Sequence, residues 1–198
     1  GTLGTGGMVV ERDNLAKVRE LELRKNLELY GVNPPFMLRY KDQDLDKEDP
    51  EILSLKILDI IHMVKPDLII TFGPSGISSH PDHIAIHKAS VLAFEAYVLG
   101  VCESTTPILI YPSIPSDVAA EYGLKLSDDE KRTDIVVDIE ETIDIKIQGL
   151  KNYRSQEDAQ EFAARLSERP DPTETFAVGP ATTHGWESSE VIYYLRSL

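Results

Sequence analysis

Apolar residues along this chain follow two alternating rhythms, and each predicts a different element. Short unbroken runs, Leu68 to Phe72, Ile108 to Tyr111 and Ile135 to Ile139, have the length and the β-branched or aromatic content of buried strands. Longer stretches between them carry apolar residues at helical spacing. The first is capped by Asp13 or Asn14 and runs to about Tyr30, with Leu15, Val18, Leu21 or Leu23, Leu27 and Leu29 on its period and Gly31 beyond its end. Asn33-Pro34-Pro35 breaks the chain, Phe36 to Tyr40 reads as a short strand, and Lys41 to Asp49 as a polar loop. Pro50 suits the first turn of a helix over Glu51 to Val64, which Lys65-Pro66 ends. Pro81 opens another, reaching about Leu99. Further helices are predicted over Glu141–Tyr153 and Glu157–Leu166, a loop over Ser167–Pro172, and a short final strand over Val191–Leu195. Strands alternating with helices imply an α/β fold: a Rossmann-like, mostly parallel sheet with helices on both faces. No repeat, low-complexity tract or linker interrupts the chain, so residues 1–198 are expected to form one domain.

Composition narrows the partners. The chain has 198 residues and a net charge of −14, and no basic surface is concentrated anywhere in it, which argues against nucleic acid or anionic lipid. No run approaches the roughly 18 apolar residues of a membrane span. The first residues lack the basic-then-apolar pattern of a signal peptide, and a single cysteine, Cys102, cannot form an internal disulfide. A cytoplasmic protein acting on a small molecule is the expectation, with the oligomeric state, a homo-oligomer included, left open. The glycine-rich start, Gly1 to Gly7, lacks the Lys-Ser/Thr ending of a phosphate-binding loop, and no strand precedes it.

The candidate chemistry lies in Ser78-Ser79-His80-Pro81-Asp82-His83, just beyond the Leu68–Phe72 strand and the loop Gly73-Pro74-Ser75-Gly76. Ligands of open α/β sheets gather beyond the carboxyl ends of strands. With Pro81 in the first helical turn, His80 and His83 stand three residues apart and close together, and His87 shares that face. A structural reading is also available: His80 caps the helix, Asp82 favours its positive end, and His83 and His87 merely pack. Two histidines and an aspartate are too few to define a metal site by spacing, since a catalytic zinc takes three protein ligands. His62, inside a helix, and His184, in a polar loop, are expected to be structural or exposed.

Thr71 to His83, followed by Ile84-Ala85-Ile86-His87, resembles the second signature of the LmbE-like, or PIG-L, zinc-dependent N-deacetylases. Three further segments agree: Leu15 to Leu23 is similar to the family's arginine-bearing helix, Leu38 to Leu45 to its aspartate-bearing loop, and Lys151 to Gln156 to a late motif ending in Ser-Gln. The similarity covers most of residues 1 to about 160. The family's first signature, His-Pro-Asp-Asp-Glu, is absent from the chain. Family members carry it on a segment that typical element lengths make roughly 35–45 residues, and the expectation is that such a segment precedes Gly1. Ser78 also departs from the Tyr that some members carry there.

The resemblance implies hydrolysis of an N-acetylated amino sugar or its conjugate, with Zn2+ as cofactor. It implies His83 as a zinc ligand beside a His and an Asp of the first signature. It implies His80 as the group that stabilises the oxyanion or protonates the leaving amine, and Asp82 as a carboxylate that hydrogen-bonds an imidazole. Arg19 and Asp42 resemble sugar-contacting residues, although Arg19 could pair with an acid on its own helix and Asp42 sits in a solvated acidic loop. Two alternatives stand beside this reading: a non-catalytic sugar-binding homologue, motivated by the absent signature, and a related amidase acting on a thiol-sugar conjugate.

Overall fold

The computed structural model describes residues 12–101, 106–168, 172–182 and 185–198; the glycine-rich start, Cys102 and His184 lie outside the described residues. The chain divides into two compact units, Gly1–Met37 with Ile139–Thr173 and Leu38–Asp138 with Glu174–Leu198.

The first unit is helical: α1 (Arg12–Leu29), α6 (Ile143–Asn152) and α7 (Glu157–Ser167). Its apolar cluster follows directly from helical spacing. Ile143, Ile147 and Leu150 share one face of α6 and meet Ala163 and Leu166 of α7. Buried polar contacts join α1 to α6. Asn26, 1% exposed, donates from Nδ2 to the Gly149 carbonyl at 2.9 Å and accepts from Asn152 Nδ2 at 2.8 Å. Glu22 accepts from the Ser155 N–H at 2.9 Å and from its Oγ at 2.6 Å. Through these contacts the serine of the Lys151–Gln156 segment anchors the helix that carries Arg19.

The second unit holds the sheet. Strands β1 (Leu68–Ile70), β2 (Ile108–Pro112), β3 (Ile135–Asp138) and β4 (Thr173–Val178) stand in the order β1-β2-β4-β3. The β1–β2 pair is parallel, with Ile69 opposite Leu109. The β2–β4 pair is antiparallel, with Tyr111 opposite Ala177. The α/β class stands, and the sheet is mixed, because the chain returns through β4 in the opposite direction. Central β2 is buried on both faces from Ile108 to Tyr111, as its unbroken apolar run requires. In β3, Ile135 and Val137 are buried and alternate with exposed Val136 and Asp138, so one face only is covered.

Helices α2 (Pro50–Val64) and α4 (Pro81–Val98) start where their prolines predict. Asp49 caps α2 by accepting from the Glu51 N–H at 2.9 Å, and Lys65 ends it in the left-handed conformation. Ile61 of α2 packs on Ala93 and Tyr97 of α4, and Phe94 of α4 packs on Leu109 and Tyr111 of β2. Each large side chain buried this way contributes about 1.5–3 kcal/mol. Burial also pushes the Tyr111 hydroxyl up to about 12. No described helix is long and apolar enough to cross a membrane.

Several elements differ from those the sequence predicts, among them β4, which it does not single out. Phe36 to Tyr40 forms no strand. Val191 to Leu195 lies in α8 (Glu190–Ser197), whose cap, Ser189 Oγ accepting from the Val191 N–H, outweighs the strand preference of Val-Ile-Tyr-Tyr. A short helix, α5 (Ser116–Glu121), follows β2 where the sequence predicts no regular element.

Candidate active site at the start of α4

The site is built where the chain leaves β1 and turns into α4. His80 and Pro81 do this together. Pro81 fixes the first helical residue, and His80, in extended conformation, is the cap: its Nδ1 accepts from the Asp82 N–H at 3.2 Å. A nitrogen that accepts carries a lone pair, so the ring proton of neutral His80 sits on Nε2. His83, one turn on, has the opposite tautomer. Its Nδ1 lies 3.1 Å from the Gly76 carbonyl, which can only accept, so Nδ1 donates and Nε2 keeps its lone pair. The two rings lie with centroids 4.8 Å apart, and Phe72 stacks flat on His83 at 3.9 Å. One imidazole therefore presents a donor and its neighbour a lone pair.

The turn that sets this up is strained. Gly76, Ile77 and Ser79 all have positive φ, at 62°, 63° and 60°. For Ile77, β-branched and with ψ at −64°, this is a disfavoured conformation that costs about 1–3 kcal/mol. Only glycine fits at position 76. Besides its φ, a Cβ there would stand 2.8 Å from the Cβ of His83. The turn Gly76–Ser79, α3, is closed by the Gly76 N–H to the Gly73 carbonyl at 3.0 Å and the Ser79 N–H to the Ser75 carbonyl at 3.1 Å.

A buried carboxylate that sequence reasoning does not single out lies behind this turn. Glu130, in the 3-10 turn Asp129–Lys131 and 1% exposed, accepts from Ser75 N and Oγ at 3.0 and 2.8 Å. It also accepts from Ser127 N and Oγ, at 3.0 and 2.8 Å. Burial alone would push its carboxyl up; the hydrogen bonds from Ser75 and Ser127 outweigh that and hold it below its ordinary value. The one signal the sequence offers is the glycine at position 73, whose Cβ would collide with Glu130 Cγ at 2.2 Å.

Asp82 Oδ2 accepts from the Gln43 N–H at 2.7 Å and its Oδ1 from the Leu45 N–H at 3.2 Å, so both oxygens hold the 41–45 loop. Asp42 belongs to that loop and is exposed. Within the sheet unit, then, His80, Asp82, His83 and the Asp42 loop come together. His87 donates from Nδ1 to the Phe72 carbonyl at 2.9 Å and meets the Tyr111 ring edge-on at 5.3 Å, a packed position. His62 is exposed on α2, its ring 5.0 Å from that of Tyr97. Arg19 lies on α1 in the helical unit, half-buried, and its Nε is shielded from solvent with no hydrogen-bond partner.

Among the described residues no group of three His, Cys, Asp or Glu side chains could hold a metal ion. His83 fits one coordination position, because its Nδ1 is already committed to a carbonyl and its Nε2 is free.

Comparison with known proteins places the chain. The family model PIG-L, described as GlcNAc-PI de-N-acetylase, matches residues 1–94. The Bacillus cereus protein named "Probable N-acetyl-alpha-D-glucosaminyl L-malate deacetylase 2" is 32% identical over 165 residues, covering 80% of this chain and 69% of that protein. The Bacillus subtilis protein of the same name is 32% identical over 145 residues, covering 73% of this chain and 60% of its own length. The fold matches N,N'-diacetylchitobiose deacetylase from Pyrococcus horikoshii with a TM-score of 0.59 at 19% identity, over 85% of this chain and 66% of that one. The chain belongs to the PIG-L family of deacetylases, as its second signature implied. It spans about two thirds of the length of these relatives.

Proposed function

We propose that the protein containing this chain is a metal-dependent N-deacetylase, releasing acetate from an N-acetylglucosaminyl conjugate. The observation that carries the reading is the complementary pair of imidazoles. His83 Nε2 offers a lone pair fit for a zinc ion, and His80 offers an Nε2–H beside it. The relatives support the substrate class, since both named Bacillus proteins are described as acting on an N-acetylglucosaminyl malate.

When bound, a zinc ion supplies polarisation of the acetamide carbonyl and a water acidified enough to attack it. This chain's residues do the rest. His83 would hold the ion through Nε2, with its direction fixed by the Gly76 carbonyl. His80 would donate a hydrogen bond from its Nε2–H to the acyl oxygen as negative charge builds there, and the proton given up by the attacking water would end on the departing nitrogen as the C–N bond breaks. One water is consumed, one acetate and one amine leave. Asp82 would keep the 41–45 loop, and with it Asp42, against the start of α4. Asp42 would accept from sugar hydroxyls.

The test is direct. Full-length protein loaded with Zn2+ should release acetate and a primary amine in equal amounts from an N-acetylglucosaminyl malate or inositol. Release of neither, by a protein that binds the metal, would remove the reading.

A further inference from the structure

Glu130 takes no part in the proposed hydrolysis, yet a carboxylate buried to 1% exposure requires a reason, since removing a charge from water is costly unless its oxygens are fully engaged. Its four donors supply the engagement. An ionised carboxylate is an acceptor only, and here it faces two N–H groups and two hydroxyls from Ser75 and Ser127. A carboxamide is a weaker replacement: its oxygen in the place of Oε2 could still accept from Ser75 N and from Ser127, but its NH2 in the place of Oε1 would turn the Ser75 hydroxyl from donor into acceptor, and the charge that strengthens all four bonds would be lost.

The clamp leads to His83 through very few bonds. Gly73 lacks a Cβ at the point where Glu130 passes, and the Gly76 N–H returns to the Gly73 carbonyl. Ser75, held by both its N–H and its hydroxyl, is the residue next to Gly76. The Gly76 carbonyl in turn takes the Nδ1–H of His83. We propose that Glu130 is a positioning residue: by fixing Ser75 it aims the Gly76 carbonyl at His83, and so holds that ring in the tautomer whose Nε2 carries the lone pair. The strained conformations of Ile77 and Ser79 give the clamp its purpose, because an unheld turn would relax out of them and carry the carbonyl away. This inference rests on the reading of His83 as a working residue of a deacetylase.

The experiment uses full-length protein labelled with 15N-histidine and kept metal-free. Long-range 1H–15N correlations report which nitrogen of each ring bears the proton. Wild-type His83 should show a single Nδ1–H form. Glu130→Gln should convert it to a mixture of tautomers, and the zinc-loaded variant should lose about 10- to 100-fold in kcat with KM unchanged. Ser75→Ala, which removes only the hydroxyl donor, should move the same signals part of the way and keeps the proposal testable should Glu130→Gln fail to fold. Glu22→Gln, which breaks a similar carboxylate–serine contact in the helical unit, should leave the His83 signals untouched. Unchanged His83 signals in both Glu130→Gln and Ser75→Ala would overturn the positioning role, whatever the activity. A tautomer shift in a protein whose wild type hydrolyses no acetamide would sink the deacetylase reading and leave the positioning role standing.

Discussion

The two units use one device in two ways. In the helical unit Glu22 accepts from the N–H and Oγ of a single serine, Ser155, and thereby ties α1 to the segment after α6. In the sheet unit Glu130 accepts from the N–H and Oγ of two serines, and the turn it holds contains residues that would not keep their backbone angles alone. Around Glu22 no residue of the clamped 153–156 segment has a positive φ. Around Glu130 the clamped turn is strained, and the next carbonyl along orients an imidazole. The same contact thus serves assembly in one place and alignment in the other. The difference lies in what the held residue is attached to.

Experiments can break that comparison, beginning with the largest effect. His83→Ala should lower kcat of the zinc-loaded full-length protein by about 100- to 10,000-fold, and the unfolding midpoint only modestly, through loss of the half-buried ring on which Phe72 stacks. A loss below ten-fold would detach the ring from the chemistry. Gly76→Ala should cost about 1–3 kcal/mol in urea unfolding, from its positive φ and from the 2.8 Å approach of His83 Cβ, and should reduce activity with it. Asp82→Asn keeps one acceptor oxygen of two and should loosen the 41–45 loop. The loss of one charge-assisted hydrogen bond, about 1.5–3 kcal/mol, should appear mainly as a raised KM. A fall in kcat at constant KM would instead point to the imidazole-tuning role its family resemblance implied.

Acid should act on Glu130. Its folded carboxyl titrates below its unfolded value of 4.5, so its stabilisation is complete above that pH and is lost as pH falls through the folded value. Urea midpoints measured downward from pH 6 should therefore drop below pH 4.5, and the drop should be shallower in Glu130→Gln. The smallest effect is expected at Gly149→Ala. A Cβ there would stand 1.6 Å from the Tyr30 hydroxyl, a shorter approach than at Gly76, but Tyr30 is 41% exposed and free to swing aside. Gly149 also sits inside a helix, where alanine is favoured by about 1 kcal/mol. A net change near zero, against a clear loss at Gly76, would show that backbone conformation decides the matter more than the bare distance.

Sequence reasoning reaches the elements whose residues repeat and misses those whose partners are distant. The apolar runs of β1, β2 and β3, the prolines opening α2 and α4, and the periods of α1, α6 and α7 are all legible, because each signal is contained within its own segment. Strand β4, Thr-Glu-Thr-Phe-Ala-Val, is hidden by its polar first half. The His80–His83 cluster is visible because its chemistry and its helix start coincide. Glu130 is not, since Asp128-Asp129-Glu130-Lys131 looks like a solvated run of charge and its Ser75 partner lies 55 residues away. Asp82 stands out as a residue but not by its partner, because spacing shows which turn a side chain starts from and not which loop lies opposite.

The left-handed geometry of Ile77 sets stability and alignment against each other. Glycine at that position would adopt φ 63° without a Cβ penalty and should raise the melting temperature. It would equally let the turn wander among conformations that isoleucine forbids. Selection for heat tolerance alone would be expected to soften this corner, and a more durable protein would emerge with a less disciplined pair of rings.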